Sequence, residues 1–340
     1  DHNWLSRKEV KLFFAYTVWV WLQNIWALHS SLHFEYTILA TKFLLLMYII
    51  SATVKTRNDL VLVILVNLLG CAYFGWIGLT EHTGGRFESI GTPGIDDGNL
   101  LSIHIAPILV SASYLLLYYT NKKKYLLLPL LALVVNCILL TQSRGGLIAL
   151  GLSGFVALFF IPKGSRKAFY AFLIIALLSG ISLVGEDFKE RIFSVTEAED
   201  IENVDQSAYS RLVIISAQID MFMDKPMLGH GHRGTLLLSP QYLSDEYLTG
   251  IGDKRRRGSH NLLMTFLVDQ GLIGGGILLY MVFTLFKRFI KMKRQIVENK
   301  SDDNFILVYV GLNIALITFW IGSMFANTLK LEISIRSEEH

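Results

Sequence analysis

The chain has 340 residues, 52% of them hydrophobic and 17% charged, with a net charge of +3 and a mean hydropathy of +0.46. That balance argues against a water-soluble globule and for a protein dissolved in a bilayer. Once the basic loops described below are set aside, the residual charge gives no sign of nucleic-acid binding.

Apolar stretches of roughly 17 to 25 residues are long enough to cross a hydrocarbon core as helices. About nine are predicted, near residues 12–28, 36–54, 59–80, 100–119, 125–141, 146–161, 168–184, 262–286 and 305–327. The expected fold class is all-α, a polytopic transmembrane helical bundle with a large, partly helical outward loop. Three regions follow: a transmembrane bundle over 1–184, a loop with an amphipathic helix over 185–261, and C-terminal transmembrane helices over 262–340.

Short cytoplasmic loops retain Lys and Arg. The basic residues Arg7, Lys8 and Lys11, then Lys55 and Arg57, Lys122 to Lys124, Lys163 to Lys167, and Lys287 to Arg294 occupy every second connection. With the start of the chain cytoplasmic, the other connections face outward, and nearly all the chemically interesting side chains lie there. Cys71 and Cys137 fall inside apolar spans and read as packed thiols, not a disulfide framework. The chain has neither an initiator Met nor a cleavable signal pattern, and by this count it ends outside after an odd number of spans, which is the expectation for a piece of a longer protein.

The first large outward connection, Gly84 to Asn99, is turn-rich and carries Arg86, Asp97 and Asn99. A second, Thr141-Gln142-Ser143-Arg144-Gly145-Gly146, leaves almost no loop between two spans, so Arg144 lies at the interface. A charge held there snorkels to lipid phosphate, pairs, or binds something. The long outward segment opens with an acidic run from Glu186 to Asp205. It reads as a solvated loop, because the compact ligand spacing of a divalent-metal site is missing.

From Ser210 to Met223, Leu212, Ile215, Ile219 and Phe222 recur at three- and four-residue steps, the stripe of an amphipathic helix lying on the membrane surface. Arg211 is expected in its first turn, where amide N–H groups also favour an anion. Asp224, Lys225 and Pro226 break the helix before a glycine-rich turn with His230, His232 and Arg233. The basic run Lys254 to Arg257 is either solvated or matched to an anionic partner. His260 and Asn261 precede the span that opens at Leu262. Asn261 reads as a helix N-cap, and His260 as a polar anchor or as an acid-base group at neutral pH. A zinc site built from His230, His232 and His260 lacks recognisable ligand spacing.

Taken in order, four of these elements resemble the O-antigen ligase and polymerase superfamily of bacterial polytopic membrane proteins, over about residues 36 to 327. They are the Arg86 to Asn99 loop, the Ser143-Arg144-Gly145-Gly146 turn, the Arg211 helix followed by Asp224 to Gly231, and Ser259-His260-Asn261 leading into Asp269-Gln270-Gly271-Leu272-Ile273-Gly274. The resemblance implies transfer of a glycan from an undecaprenyl diphosphate carrier to an acceptor hydroxyl at the periplasmic face of the bacterial inner membrane. It implies that Arg144 and Arg211 bind the donor diphosphate and that His260 acts on the acceptor; Arg86 is a candidate third cation. Asn99, Ser143 and Asn261 support them.

Two guanidiniums neutralise a diphosphate leaving group without a metal, so a metal-independent, cofactor-free transferase of GT-C type is expected. Lipid A core is the acceptor favoured by the basic run near His260. A polymerase, a protein O-oligosaccharyltransferase, and, in another class, a membrane transporter are the alternatives. A transporter calls for broken helices and deep ionisable groups, whereas the deep polar residues noted here are Lys42, Asn67, Asn136 and Asn313.

Overall fold

In a computed structural model the described residues are 7–88, 97–161, 166–167, 170, 206–249, 255–259, 261–298 and 305–325. Apolar chain in a bilayer satisfies its backbone only internally. Among the described residues the regular structure is accordingly helical, apart from one isolated antiparallel bridge, Thr249 to Arg256. In chain order the helices are α1 (Lys8–Gln23), α2 (Ser30–Thr53), α3 (Arg57–Thr80), α4 (Gly98–Tyr118), α5 (Leu127–Leu140), α6 (Arg144–Phe160), α7 (Gln206–Asp224), α8 (Gly234–Tyr242), α9 (Leu262–Glu298) and α10 (Phe305–Ser323).

The expectation of nine spans is met in part. Five helices among the described residues are long and apolar enough to cross a membrane: α2, α3, α4, the stretch Leu262–Lys291 of α9, and α10. Helices α5 and α6 are apolar but shorter, and α1 has 16 residues. The expected span at 168–184 and the acidic run at 186–205 lie outside the described residues.

The chain forms two compact units, Asp1–Thr56 with Asn203–Lys300, and Arg57–Glu202 with Ser301–His340. In the second, α3, α4 and α5 share a core that includes Leu68, Ala72, Leu101, Ala112, Val134 and Cys137, while α10 adds Val310 and Ile314 against Tyr114 and Ala157. Helices in lipid gain little from apolar burial and associate through close packing, so small residues mark their contacts. Gly146 is such a point, since a Cβ there would sit 1.7 Å from Ser102 Oγ. The deep amides are spent nearby: Asn67 and Asn313 donate to the carbonyls of Val63 and Tyr309 at 2.8 Å, and Asn136 to that of Gly75 at 3.4 Å. Both cysteines are free thiols.

The first unit holds two departures from the expected pattern. Helix α7 begins at Gln206, a turn earlier than its apolar stripe, so Arg211 lies in the second turn and the first-turn amide argument for it falls. The polar run Gln206 to Ser210 carries no periodicity that would have revealed that turn. The face buried in protein is not that stripe. Ile214, Ala217, Gln218 and Met221 point inward, whereas Leu212 and Ile219 are exposed. Gln218 belongs to the inward face because its Nε2 donates to Thr235 Oγ1 at 3.1 Å and to Thr265 Oγ1 at 3.2 Å.

The second departure is in α9, which runs past the expected end at 286 to Glu298 and is broken at Gly271 (φ 66°, ψ −174°). This is backbone that essentially only glycine adopts, and a Cβ at Gly271 would lie 2.4 Å from the Met227 carbonyl oxygen. Gly271→Ala is therefore expected to cost on the order of 2 kcal/mol or more. Gly276→Ala, with nothing within 4 Å of its Cβ, is expected to be neutral or stabilising by up to about 1 kcal/mol. Thermal unfolding of the two variants in detergent checks the pair; equal midpoints would refute the account of the break.

Candidate functional site

In the second unit, the expected site residues cluster around the turn between α5 and α6. Ser143 is the N-cap of α6, and its Oγ accepts from the Gly146 amide at 3.1 Å. Gln142, at φ 49°, makes the sharp reversal just before it. Arg144 is the first residue of α6 and is exposed, while Ser143 is buried. A cation thus stands at the end of a helix whose own dipole favours an anion.

Arg86 has a different position. Its Nε donates to the Thr141 carbonyl at 2.9 Å, its Nη2 lies 3.0 Å from Asp97 Oδ1, and Glu88 is 3.5 Å from Nε. Asp97 caps α4, its Oδ1 accepting from the Asn99 amide at 3.0 Å and its Oδ2 from Asn99 Nδ2 at 3.3 Å. Arg86 and Asn99 are thus joined through one carboxylate. With Phe87 N on the Leu140 carbonyl at 2.9 Å, they pin the segment before residue 88 to the turn that carries Arg144.

In the first unit the motifs around Asp224 to Gly231 and Asp269 to Gly274 interlock. Breaking a helix orphans carbonyls on one side and amides on the other. Here the orphans are met by the 226–231 turn and by α1. His230 N donates to the Val268 carbonyl at 3.0 Å and Gly231 N to that of Asp269 at 2.9 Å, while Leu272 N reaches the Pro226 carbonyl at 2.7 Å and Ile273 N that of Met227 at 3.3 Å. Trp19 Nε1 adds a bond to the Gln270 carbonyl at 3.2 Å, and Gln23 Nε2 spans the carbonyls of Leu228 (2.8 Å) and Asp269 (3.1 Å).

The Asp269 side chain is buried. Its Oδ2 accepts from Arg233 N at 3.0 Å and its Oδ1 from Thr235 N at 3.4 Å, so it caps α8 from another helix. Arg233, the residue that opens α8, is left-handed (φ 63°) and supplies no side-chain cap of its own. His232 Nδ1 is 4.0 Å from Asp269 Oδ2, and its ring stacks on Tyr36 at 4.2 Å. His33 accepts from His232 N through Nδ1 at 2.9 Å, so its Nε2, 2.9 Å from the Val20 carbonyl, carries the proton.

In the sequence Asp269 is read only as part of a motif, and neither it nor Trp19, Gln23 and His33 is given this anchoring role. The available signal was an acidic residue inside an otherwise apolar span, which bilayer energetics makes expensive.

His230 is a structural tie. Its Nε2 donates to the Met221 carbonyl at 2.8 Å, and burial is the largest influence on its pKa, which lies below the ordinary value. Asn261 is the N-cap of α9 expected from its position, its Oδ1 accepting from Met264 N at 3.0 Å. In the basic run, Arg255 reaches Asp245 at 3.6 Å and Arg256 forms the bridge to Thr249. His260 and the side chain of Arg211 lie outside the described residues. No group of three or more His, Cys, Asp or Glu among the described residues is placed to hold a metal ion.

Residues 129–279 match the O-antigen ligase family. The chain carries an O-antigen ligase domain over that stretch. No curated protein matches the chain. The match and the five long apolar helices support a bacterial membrane protein with O-antigen ligase- or polymerase-type function. The O-antigen ligase match includes Ser143, Arg144, Arg211, His260, Asn261 and both the 226–231 turn and Asp269, and it leaves out Arg86, Asn99 and the α1 residues Trp19 and Gln23 that complete the joint.

Two predictions follow from this geometry. Charge-assisted bonds are worth about 1.5 to 3 kcal/mol each and a neutral cap about 1 kcal/mol. Asp269→Ala is therefore expected to lower the unfolding midpoint in detergent more than Asn261→Ala, with Asp269→Asn between them, and the reverse order would refute the capping role. His230 binds a proton less readily folded than unfolded, so stability is intact above the unfolded pKa of about 6.5 and falls as pH drops through and below it. Acid unfolding of His230→Gln, which keeps a donor for the Met221 carbonyl, is expected to show a weaker dependence on pH than wild type below that value.

Proposed function

We propose that the chain transfers a glycan from an undecaprenyl diphosphate carrier to an acceptor hydroxyl at the periplasmic face of the inner membrane, with lipid A core as the preferred acceptor. The single observation that carries this reading is Arg144, exposed at the start of α6 directly after its N-cap Ser143. A guanidinium there supplies a planar pair of donors, and the helix end adds aligned amide dipoles. A diphosphate leaving group needs both as charge develops on its oxygens. Arg211 is assigned to the same diphosphate, on the resemblance and on its place in the matched family stretch. Arg86 is kept as a positioning group because its donors face Thr141 and Asp97.

His260 is assigned to the acceptor. Its neutral imidazole takes the hydroxyl proton as the acceptor oxygen bonds to the anomeric carbon, and the bond from that carbon to the diphosphate breaks. The reaction proposed is metal-independent and uses no cofactor. The long segment that carries Arg211 and His260 is read as periplasmic on the alternation of basic connections.

The break in α9 bears on the transporter alternative, because broken helices are a mark of transporters. The carbonyls of Val268, Asp269 and Gln270 and the amides of Leu272 and Ile273 all have partners within the same unit. That arrangement favours a joint over an ion-coordinating site.

Arg144→Ala and Arg211→Ala are each expected to abolish transfer from a purified lipid-linked donor with little loss of folded protein, and Lys to restore little at either position because a point charge lacks the planar fork. His260→Ala is expected to remove turnover and leave donor binding intact, and wild-type activity to rise across the range where an imidazole titrates, near 6.5. Donor binding by both Arg→Ala variants at wild-type strength would overturn the diphosphate assignment. Inhibition by EDTA that Mg²⁺ reverses would overturn metal independence.

A further inference from the structure

Helix α7 has apolar residues on two faces, and among the described residues one of them is packed against protein and the other is exposed. Ile214, Ala217 and Met221 pack with Leu238 of α8 and Val268 of α9. Leu212, Ile219 and Met223 stand on the other side, followed by Met227 and Leu228 in the turn, with exposures between 43% and 66%. Beside this ridge, on the same exposed side, are the acidic residues Asp220 and Asp224. An exposed apolar strip with a charged flank is the pattern of a helix lying in a membrane interface.

The turn shows where the ridge leads. The Pro226 and Met227 carbonyls accept from Leu272 N and Ile273 N, which places Met227 against the start of the second half of α9. Leu272 is itself 48% exposed and lies within the stretch Leu262–Lys291 that is long and apolar enough to cross a membrane. The ridge thus continues, out along α7, the exposed apolar face of a helix long and apolar enough to cross a membrane.

We propose that α7 is a monotopic membrane element. Leu212, Ile219 and Met223, continued by Met227 and Leu228 to Leu272, rest among lipid acyl chains at the interface, with Asp220 and Asp224 on the aqueous flank. The occupant is bulk bilayer lipid. The proposal uses none of the transfer chemistry, so it stands or falls independently of it.

The test places single spin labels at positions 212, 219, 223 and 220 in a Cys71→Ser, Cys137→Ala background, in nanodiscs of mixed phosphatidylethanolamine and phosphatidylglycerol with no glycan donor. Collisions with oxygen are expected to exceed those with a water-soluble nickel complex at 212, 219 and 223, and the order to invert at 220. A nickel-dominated signal at 212 and 223 overturns the proposal. So does spin–spin broadening between labels, which would mean a second copy covers the ridge. Oxygen-dominated collisions that arise only after a polyprenyl diphosphate is added also overturn it, because the occupant would then be the substrate's chain.

The unsubstituted protein provides a second reading free of folding effects. Met223 and Met227 are expected to be oxidised by aqueous peroxide several-fold more slowly in nanodiscs than in a short peptide of the same sequence. Equal rates would overturn the proposal.

Discussion

A carboxylate set inside an apolar helix has to be met by donors, and the first unit is organised around how Asp269 is met. Taking a charge out of water costs several kcal/mol, and only good geometry with several bonds repays it. Asp269 receives two backbone amides from the start of α8 and stands beside His232, while its own carbonyl accepts from Gly231 and Gln23. The break at Gly271 makes this possible. An unbroken helix would have used the same carbonyls and amides internally and left the 226–231 turn nothing to bond.

Around this joint the buried polar residues serve the backbone. His230, His33, Trp19 and Gln23 are polar and buried or nearly so, and each bonds to a backbone carbonyl of a neighbouring segment. In the second unit a division runs through the turn at Ser143. Arg86 and Asn99 share Asp97 and stiffen the approach to the turn, whereas Arg144 stands exposed at the helix end. Several of the conspicuous polar residues thus hold the backbone in place, and Arg144 differs from them in being exposed.

Helix existence was legible in the sequence because length and apolarity decide it in a bilayer. The caps at Ser143 and Asn261 were legible too, since a short polar side chain before an apolar run has one common use. The shortfall came where local pattern and tertiary bonding part. The stripe through Leu212 and Ile219 marks one apolar face, but the face buried in protein lies elsewhere, and Gln218 belongs to it through its bonds to Thr235 and Thr265, which no hydropathy pattern records. The break at Gly271 was hidden for a related reason. Gly274, Gly275 and Gly276 follow it in an apolar run, and only the partner segment distinguishes the glycine that must have positive φ from those that sit in helix.

The remote cap on α8 has a further consequence for biogenesis. Arg233 and the carboxylate that receives its amide are 36 residues apart, and the carboxylate comes later in the chain. As the polypeptide is made from its N-terminus, the 226–234 turn is delivered before the helix that completes it exists. Until Asp269 and Gly271 have been synthesised, those amides and carbonyls lack these partners and are left to water. Insertion of α9 is thus the step that converts the preceding segment from a tethered loop into a fixed element, and a chain arrested before residue 269 lacks that order although it already contains every residue of the turn.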